Sequence, residues 1–310
     1  MDRIENLSLR DLRLLVALAE RRHFGRTAEE FDLSQATLSA AIKKIETAFG
    51  APLFARTSRS VALTQEGEAV VRQALAVLDE ARTLAHTLRP AAAPLTGRFR
   101  LGAFPTLAPY LFPQVLAPLR AAYPKLQLVL TEAMTNELLR LLRARQLDGV
   151  LLALPQESAD LAVYPLFREP FWLAVGKNHP LAGQTSLTVA DVPLEELLLL
   201  EPGHCLRDSV LAACGTGFLA HRRTVHAAGL ETQRAMVAAG MGCAILPALA
   251  AQTTLLDEVA LLPFDAPGPG REIALVTRRT GQDSRDALIL AAFLRRLPAS
   301  QPLLEPAVLS

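Results

Sequence analysis

The spacing of hydrophobic residues changes near residue 95, and this change divides the chain into two parts. Before it, apolar residues recur every three or four positions, which is typical of amphipathic helices. After it, short runs rich in Leu, Val and Ala alternate with helix-length segments, which is typical of βα units. Because the chain has 310 residues, two or more domains are expected.

The first 63 residues predict a winged helix-turn-helix domain. Helices are expected over residues 9–21 and 25–31, and a third helix should end at Gly50. Ser34 is suited to cap the start of the third helix, because its hydroxyl can accept a hydrogen bond from a free backbone N–H group. Residues 51–64 predict a short hairpin, the wing. Three short helices joined by a tight turn indicate a helix-turn-helix.

The exposed face of the third helix is polar and basic. Between Ser34 and Ser60 there are four Lys or Arg residues against one acid, Glu46, whereas the whole chain has a net charge of only +1. Gln, Ser and Thr can contact base edges, and Lys and Arg neutralise phosphate. An ordinary solvated helix face is the alternative. The candidate DNA-binding residues are Ser34, Gln35, Thr37, Ser39, Lys43, Lys44, Arg56 and Arg59.

Residues 64–92 predict one long helix followed by a hinge at 90–94. Six apolar positions alternate in steps of three and four, as in the seam between paired helices: Val71, Ala74, Leu78, Ala81, Ala85 and Leu88. A helix that lies on its own domain is the alternative. A paired helix would present two recognition helices to neighbouring DNA half-sites.

The remaining 200 or so residues predict two α/β lobes around a mostly parallel sheet. We expect the first lobe at 93–167 plus 271–300 and the second at 168–270, with any ligand in the crevice between them. The last strand of the second lobe should follow the turn at Gly240–Gly242.

Composition narrows the class of protein further. No secretory signal or apolar run of about 18 residues is present, so a cytoplasmic protein without a membrane partner is expected. Three cysteines are too few for a disulfide scaffold. His23 and His86 have no companions at metal-ligand spacing, and no cofactor motif is found.

The segment 201–214 carries the candidate redox chemistry. Cys205 follows a Pro-Gly turn and precedes a predicted helix, between His204 and Arg207. A helix N-terminus and a guanidinium both favour thiolate, so a low-pKa nucleophile is expected. Asp208 is placed to close a capping box just after Cys205. The alternative is that Cys205 is a small buried hydrophobic residue.

Cys214 follows Cys205 by nine residues. If the segment is helical, the two Cα atoms are separated by about 13 Å along the axis, whereas a disulfide needs Cα atoms within about 7 Å. The pair can therefore bridge only if the segment unwinds. This makes it a candidate switch in which Cys205 is oxidised to a sulfenic acid, Cys214 attacks, and the chain refolds locally.

Residues 7–66, with the runs SQATLSAAIKKIE and LFARTSR, resemble the winged helix-turn-helix of LysR-type transcriptional regulators. Many members have Pro where this chain has Ala36. The resemblance continues through the linker helix and both lobes. It implies periplasmic-binding-protein-like lobes and a dimer or tetramer in which these lobes control the spacing of the DNA-binding heads.

The run GHCLRD, with a second cysteine nine residues after the first, resembles the hydrogen-peroxide-sensing branch of that family, as do LGAFPTLAPYL and TEAMTNELL. The resemblance implies that Cys205 reacts with peroxide and that Cys214 resolves it. It also implies a peroxide pocket and proton relay formed by Thr106, Thr135, His204, Arg207 and Asp208. The implied partners are double-stranded DNA, hydrogen peroxide, further copies of the chain and RNA polymerase.

Several alternatives stay open from the residues alone. Cys243 lies in an apolar strand context and is interpreted as structural, with a back-up thiol as the alternative. A regulator of the same architecture that binds a small organic effector would need neither Cys205 nor Cys214. A thiol peroxidase is the third possibility, but the DNA-binding head speaks against an enzyme.

Overall fold

The computed structural model describes residues 4–56, 61–87, 95–155, 158–216, 226–252, 258–279, 283–297 and 304–307. The chain forms two compact units, Met1–Ala92 and Ala93–Ser310. None of the helices in the described part is long and apolar enough to cross a membrane.

The first unit consists of helices and one small hairpin. Its elements are α1 (Leu9–Arg21), α2 (Phe24–Glu30), α3 (Gln35–Phe49), β1 (Phe54–Arg56), β2 (Val61–Leu63) and α4 (Gln65–Thr87). The strands β1 and β2 pair antiparallel, which confirms the predicted wing.

Local sequence explains where α3 begins and ends. Oγ of Ser34 accepts a hydrogen bond from the Thr37 N–H at 3.1 Å, and Gly50 ends the helix with φ at 71°. Leu38, Ile42 and Ile45 are completely buried against the other helices. Burial of each such side chain contributes about 2 kcal/mol to stability. The predicted cap and stop of this helix are confirmed.

Part of the predicted apolar seam of α4 is buried within its own unit. It packs against α1, and Ala74 belongs to the buried core of this unit. Leu78 is also buried, as expected if the helix lies on its own domain. On the same helix, Val77 and Leu84 are exposed, the latter to 72%. The side chains of Ala85 and Leu88 lie outside the described residues.

The second unit has a large sheet with helices around it. The strands of this unit are β3 (Gly97–Ala103), β4 (Leu126–Glu132), β5 (Gly149–Ala153), β6 (Leu161–Gly176), β7 (Leu199–Leu200), β8 (His226–Ala227), β9 (Ala244–Pro247), β10 (Val259–Pro263), β11 (Gly270–Arg278) and β12 (Glu305–Pro306). Of these, β7 and β8 form a separate two-stranded parallel sheet. The helices of this unit are α5 (Ala108–Ala122), α6 (Thr135–Arg143), α7 (Cys205–Cys214), α8 (Leu230–Ala238), α9 (Ala248–Gln252) and α10 (Asp283–Leu294).

The expectation of a mostly parallel sheet is wrong. The strand order is β10-β6-β11-β5-β3-β4, and β9 and β12 also pair with β6. Within this sheet β3 runs parallel to β4 and β5, whereas the other described pairs are antiparallel. The difference arises because β6 is 16 residues long and serves several partners. Its prolines, Pro165 and Pro170, hide its length in the sequence, since proline usually interrupts a strand.

Two helices begin at the same edge of the sheet. The strands β3 and β4 are parallel, and α5 and α6 follow their carboxyl ends after short turns. Carboxyl ends of parallel strands are the usual location of ligand sites in α/β folds. This topology places Thr106, before α5, and Thr135, the first residue of α6, at one edge.

Candidate functional sites

The candidate DNA-contacting residues of α3 lie on its exposed side. Ser34, Gln35, Thr37, Lys43 and Lys44 are exposed, whereas Ser39 is half-buried. The hydroxyls of Ser34 and Thr37 hydrogen-bond to each other at 2.8 Å, so both are partly engaged in the cap. In the wing, Arg59 and the side chain of Arg56 lie outside the described residues.

Lys44 is less available than the sequence suggests. Its Nζ donates to Oδ2 of Asp11 at 2.9 Å, which links α3 to α1. Burial alone would raise the pKa of Asp11, but hydrogen bonds from Lys44 and Ser8 outweigh it and hold that pKa below its ordinary value. The carboxylate therefore stays ionised near neutral pH and offsets the charge of Lys44. Lys43 has no ion pair within the described part of the chain.

Cys205 is the first residue of α7, and His204 is its N-cap. The helix thus includes Cys205 rather than starting after it. The third helical position is Arg207 rather than Asp208, and His204 makes no side-chain cap, so the expected capping box is wrong. Asp208 is exposed one position later. Nη1 of Arg207 donates to the Leu200 carbonyl at 2.8 Å and ties α7 to β7.

The cation that acts on Cys205 is Arg271, at the start of β11. Its guanidinium is buried and donates from Nε to Oε2 of Glu169 at 2.8 Å. Its Nη1 donates to Oγ1 of Thr106 and its Nη2 to the Thr106 carbonyl, both at 2.8 Å. The guanidinium carbon lies 4.9 Å from the centre of the Phe104 ring. Arg271 therefore fixes the position of Thr106.

The two threonine hydroxyls differ in what they can still bind. Because Oγ1 of Thr106 accepts from Arg271, its own hydrogen is directed elsewhere. Oγ1 of Thr135 is buried, and no regular hydrogen-bond partner for it lies within the described residues. It nevertheless acts on the Cys205 thiol, whose pKa it lowers. An unsatisfied buried hydroxyl beside a thiol indicates a place for a small polar ligand.

The expectation of a low-pKa Cys205 is wrong for this structure. Burial raises the pKa of the thiol above its ordinary value, and Asp208 adds to the increase. The charge of Arg271, the Thr135 hydroxyl and the Leu206 backbone N–H lower that pKa but do not compensate. The reason is that removing a thiolate from water costs more than the shared charge of Arg271 and the two neighbouring polar groups return.

The other two thiols have different surroundings. Cys214 is the last residue of α7 and is half-buried, and burial raises its pKa as well. All three cysteines are free, and the helix between Cys205 and Cys214 is continuous, which places their Cα atoms about 13 Å apart along its axis. Cys243 is completely buried, and its Sγ lies 3.8 Å from the Pro193 carbonyl oxygen, as a structural residue would.

His204 is held by the segment before α8. Its Nε2 lies 3.2 Å from the Ala228 carbonyl oxygen, which can only accept a hydrogen bond. In the neutral ring Nε2 therefore carries the hydrogen, and Nδ1 has a free lone pair. His204 is buried and directly precedes Cys205 in the chain.

Sequence reasoning missed Arg271 and Glu169. They lie directly opposite each other in the pairing of β11 with β6. The available signal was two adjacent charged residues within each of two largely apolar strands, Arg168–Glu169 in β6 and Arg271–Glu272 in β11. Only the register of the pairing shows that these charges meet.

Among the described residues, no group of three or more His, Cys, Asp or Glu residues could hold a metal ion.

Family comparisons agree with this division of the chain. Residues 9–68 match the bacterial regulatory helix-turn-helix protein of the lysR family. Residues 92–299 match the LysR substrate binding domain, with the second unit covering nearly the same span. The chain therefore belongs to the LysR family of transcription regulators.

Individual relatives narrow the branch of that family. The chain is 43% identical over 273 residues to the DNA-binding transcriptional dual regulator OxyR of Escherichia coli, which covers 88% of this chain and 90% of the relative. It is equally similar to a hydrogen peroxide-inducible genes activator of Dickeya chrysanthemi, with the same coverage. Full-length OxyR of Pseudomonas aeruginosa, in a variant form, has a TM-score of 0.83 at 35% identity and covers 98% of this chain and 99% of its own. These relatives place the chain in the OxyR branch.

The resting Cys205 thiol gives a pH-dependent prediction. Because its pKa lies above the ordinary value, the thiolate fraction at neutral pH is small and grows as pH rises. Alkylation of Cys205 by iodoacetamide, followed by peptide mass spectrometry, should keep accelerating beyond pH 9.0, the ordinary value for a cysteine thiol. A rate that levels off below pH 7 would contradict the electrostatic description.

Proposed function

We propose that this protein is a transcription regulator that responds to hydrogen peroxide through oxidation of Cys205. The observation that carries the proposal is the Cys205 thiol beside the buried hydroxyl of Thr135, close to the charge of Arg271. The relatives support it, since they are named as hydrogen peroxide-inducible activators. An OxyR structure from Corynebacterium glutamicum, 32% identical with a TM-score of 0.65 over 96% of this chain and 94% of its own, is described as H2O2-bound.

The proposed first step is a displacement at one oxygen of the peroxide. The Cys205 thiolate attacks that oxygen, an S–O bond forms, and the O–O bond breaks. The second oxygen leaves as hydroxide and takes a proton to become water. Thr106 has a hydrogen to donate, and Thr135 can donate and accept, so together they can orient the peroxide. The proton lost by the thiol is taken up at Nδ1 of His204.

The second step joins the two cysteines. The Cys214 thiolate attacks the Cys205 sulfenic acid, an S–S bond forms, and the hydroxyl leaves as water. In total, one peroxide and two thiols give one disulfide and two waters. The helix must unwind first, because it holds the two Cα atoms about 13 Å apart along its axis and a disulfide requires them within about 7 Å. With only 10 residues α7 is below the length at which an isolated helix is stable, so unwinding it is feasible.

Oxidation of Cys205 would alter DNA binding through the arrangement of the domains. We propose a winged helix-turn-helix at 1–63, a linker helix at 64–92, one lobe at 93–167 plus 271–300 and another at 168–270. Two or four copies would present their α3 helices to double-stranded DNA in the cytoplasm and contact RNA polymerase. Exposed Val77 and Leu84 on α4 support self-association, since they leave apolar surface uncovered.

Peroxide treatment followed by mass spectrometry of all three thiols tests the proposal. A Cys205–Cys214 disulfide should form, and Cys205→Ser should abolish both this link and peroxide-dependent transcription. Cys243→Ser is the matched control, because Cys243 is completely buried elsewhere in the unit. A Cys205→Ser variant that still responds to peroxide would favour an organic effector instead.

Oxidation should change how the protein sits on DNA. Unwinding α7 removes the contacts it makes with β7, including the hydrogen bond from Arg207. We expect the reduced and oxidised proteins both to bind DNA, with footprints that differ in half-site spacing. Identical footprints of the two forms would rule out this mechanism.

Replacement of Thr135 separates stability from reactivity. Thr135→Val removes a buried hydroxyl without a regular partner, so thermal stability should stay the same or rise by about 1 kcal/mol. The rate of Cys205 oxidation by peroxide should nevertheless fall about tenfold, the equivalent of one lost charge-assisted hydrogen bond. Thr131→Val, at a half-buried strand position of β4, is the control and should leave the oxidation rate unchanged. Equal rates in both variants would remove Thr135 from the peroxide site.

A further inference from the structure

A hydrogen-bonded triad joins α5, which follows Thr106, to α8, whose preceding segment contacts His204. The Tyr110 hydroxyl, on α5, donates to Oε1 of Glu231 on α8 at 2.8 Å. Nη1 of Arg234 donates to the same oxygen at 2.9 Å. Tyr110 and Arg234 are buried, whereas the Glu231 side chain is 71% exposed. We call these three residues the latch.

On one side, the latch is one helical turn from the peroxide site. Thr106 lies just before α5, and Tyr110 follows it by four residues. The Tyr110 N–H donates to the Leu107 carbonyl at 3.1 Å, so the turn that carries Thr106 is continuous with the first turn of the helix. A shift of Tyr110 would therefore move Thr106.

On the other side, the latch connects to the thiol through the start of α8. Nε2 of His204 contacts the Ala228 carbonyl at 3.2 Å, and Ala228 precedes the N-cap of α8. Nε2 of Gln233 donates to the Leu198 carbonyl at 2.8 Å, which holds α8 next to β7. Through these two contacts, the first turn of α8 is connected to His204, which directly precedes Cys205, and to the residue before β7.

We propose that Tyr110 and Glu231 are positioning residues that hold the Thr106 hydroxyl at the distance from Cys205 that the peroxide reaction needs. Thr106 and Cys205 belong to different parts of the fold. The latch connects these two parts at the solvent-exposed edge of the site. Burial and the neighbouring Glu231 raise the pKa of Tyr110, so its phenol remains a hydrogen-bond donor at any physiological pH. The inference rests on the proposed function, since it concerns the rate of the same oxidation.

The test compares two reactions of Cys205 in the full-length protein. Tyr110→Phe should lower the rate constant for oxidation by hydrogen peroxide about fivefold, the change expected from one hydrogen bond of about 1 kcal/mol. The rate of alkylation by iodoacetamide should not fall, because alkylation does not use the Thr106 hydroxyl. A change in thiol pKa would move both rates in the same direction, so the ratio of the two rates reports positioning. Tyr123→Phe is the control, since Tyr123 packs edge-on against Phe293 and no hydrogen bond of its hydroxyl lies within the described residues.

Variants at Glu231 complete a double-mutant cycle. Glu231→Gln keeps a carbonyl oxygen that Tyr110 can donate to and should remain closer to the unsubstituted protein than Glu231→Ala. The double variant Tyr110→Phe/Glu231→Ala should be no slower than either single variant, because both remove one interaction. Additive effects, or a Tyr110→Phe ratio equal to that of Tyr123→Phe, would overturn the latch alone. Failure of the unsubstituted protein to oxidise at Cys205 would overturn the proposed function, and the latch with it.

Discussion

The buried guanidinium of Arg271 is the interaction on which the second unit depends. It joins β11 to β6 through Glu169 and fixes the turn before α5 through Thr106. Glu169 in turn accepts the Leu249 N–H at the start of α9, at 3.0 Å. Removing one partner of such a buried ion pair costs about 3–5 kcal/mol, because the other charge is left without compensation. Arg271, which lowers the pKa of Cys205, is therefore also a residue that the fold requires for its stability.

The same charge explains why the resting thiol is not strongly activated. Arg271 divides its influence between Glu169, a carboxylate in direct contact, and Cys205, which it reaches only through space. Burial of the sulfur outweighs what remains. A protonated resting thiol is less open to oxidants and alkylating agents that meet it by chance. Reactivity would then depend on hydroxyls that act on a bound peroxide rather than on a permanently ionised sulfur.

How far the sequence predicts the structure depends on the range of the interactions involved. The cap at Ser34 and the stop at Gly50 are local features of α3, and both were predicted correctly. The position of Cys205 at a helix start was also evident from the preceding turn. In contrast, the pairing of Arg271 with Glu169 depends on a strand register that joins residues 102 positions apart. The balance between burial and charge at Cys205 could not be predicted without that contact.

One contact in the first unit has a mechanical consequence. Oε1 of Glu46, on α3, accepts the N–H groups of Leu53 and Phe54, at 2.9 and 3.2 Å, where the wing begins. The Glu46 side chain thereby joins α3 to the start of the hairpin, and α4 packs on the same body through α1. A torque applied along α4 would therefore rotate α3 and the wing together as one rigid body. This body would keep the same base preferences when the spacing between DNA half-sites changes.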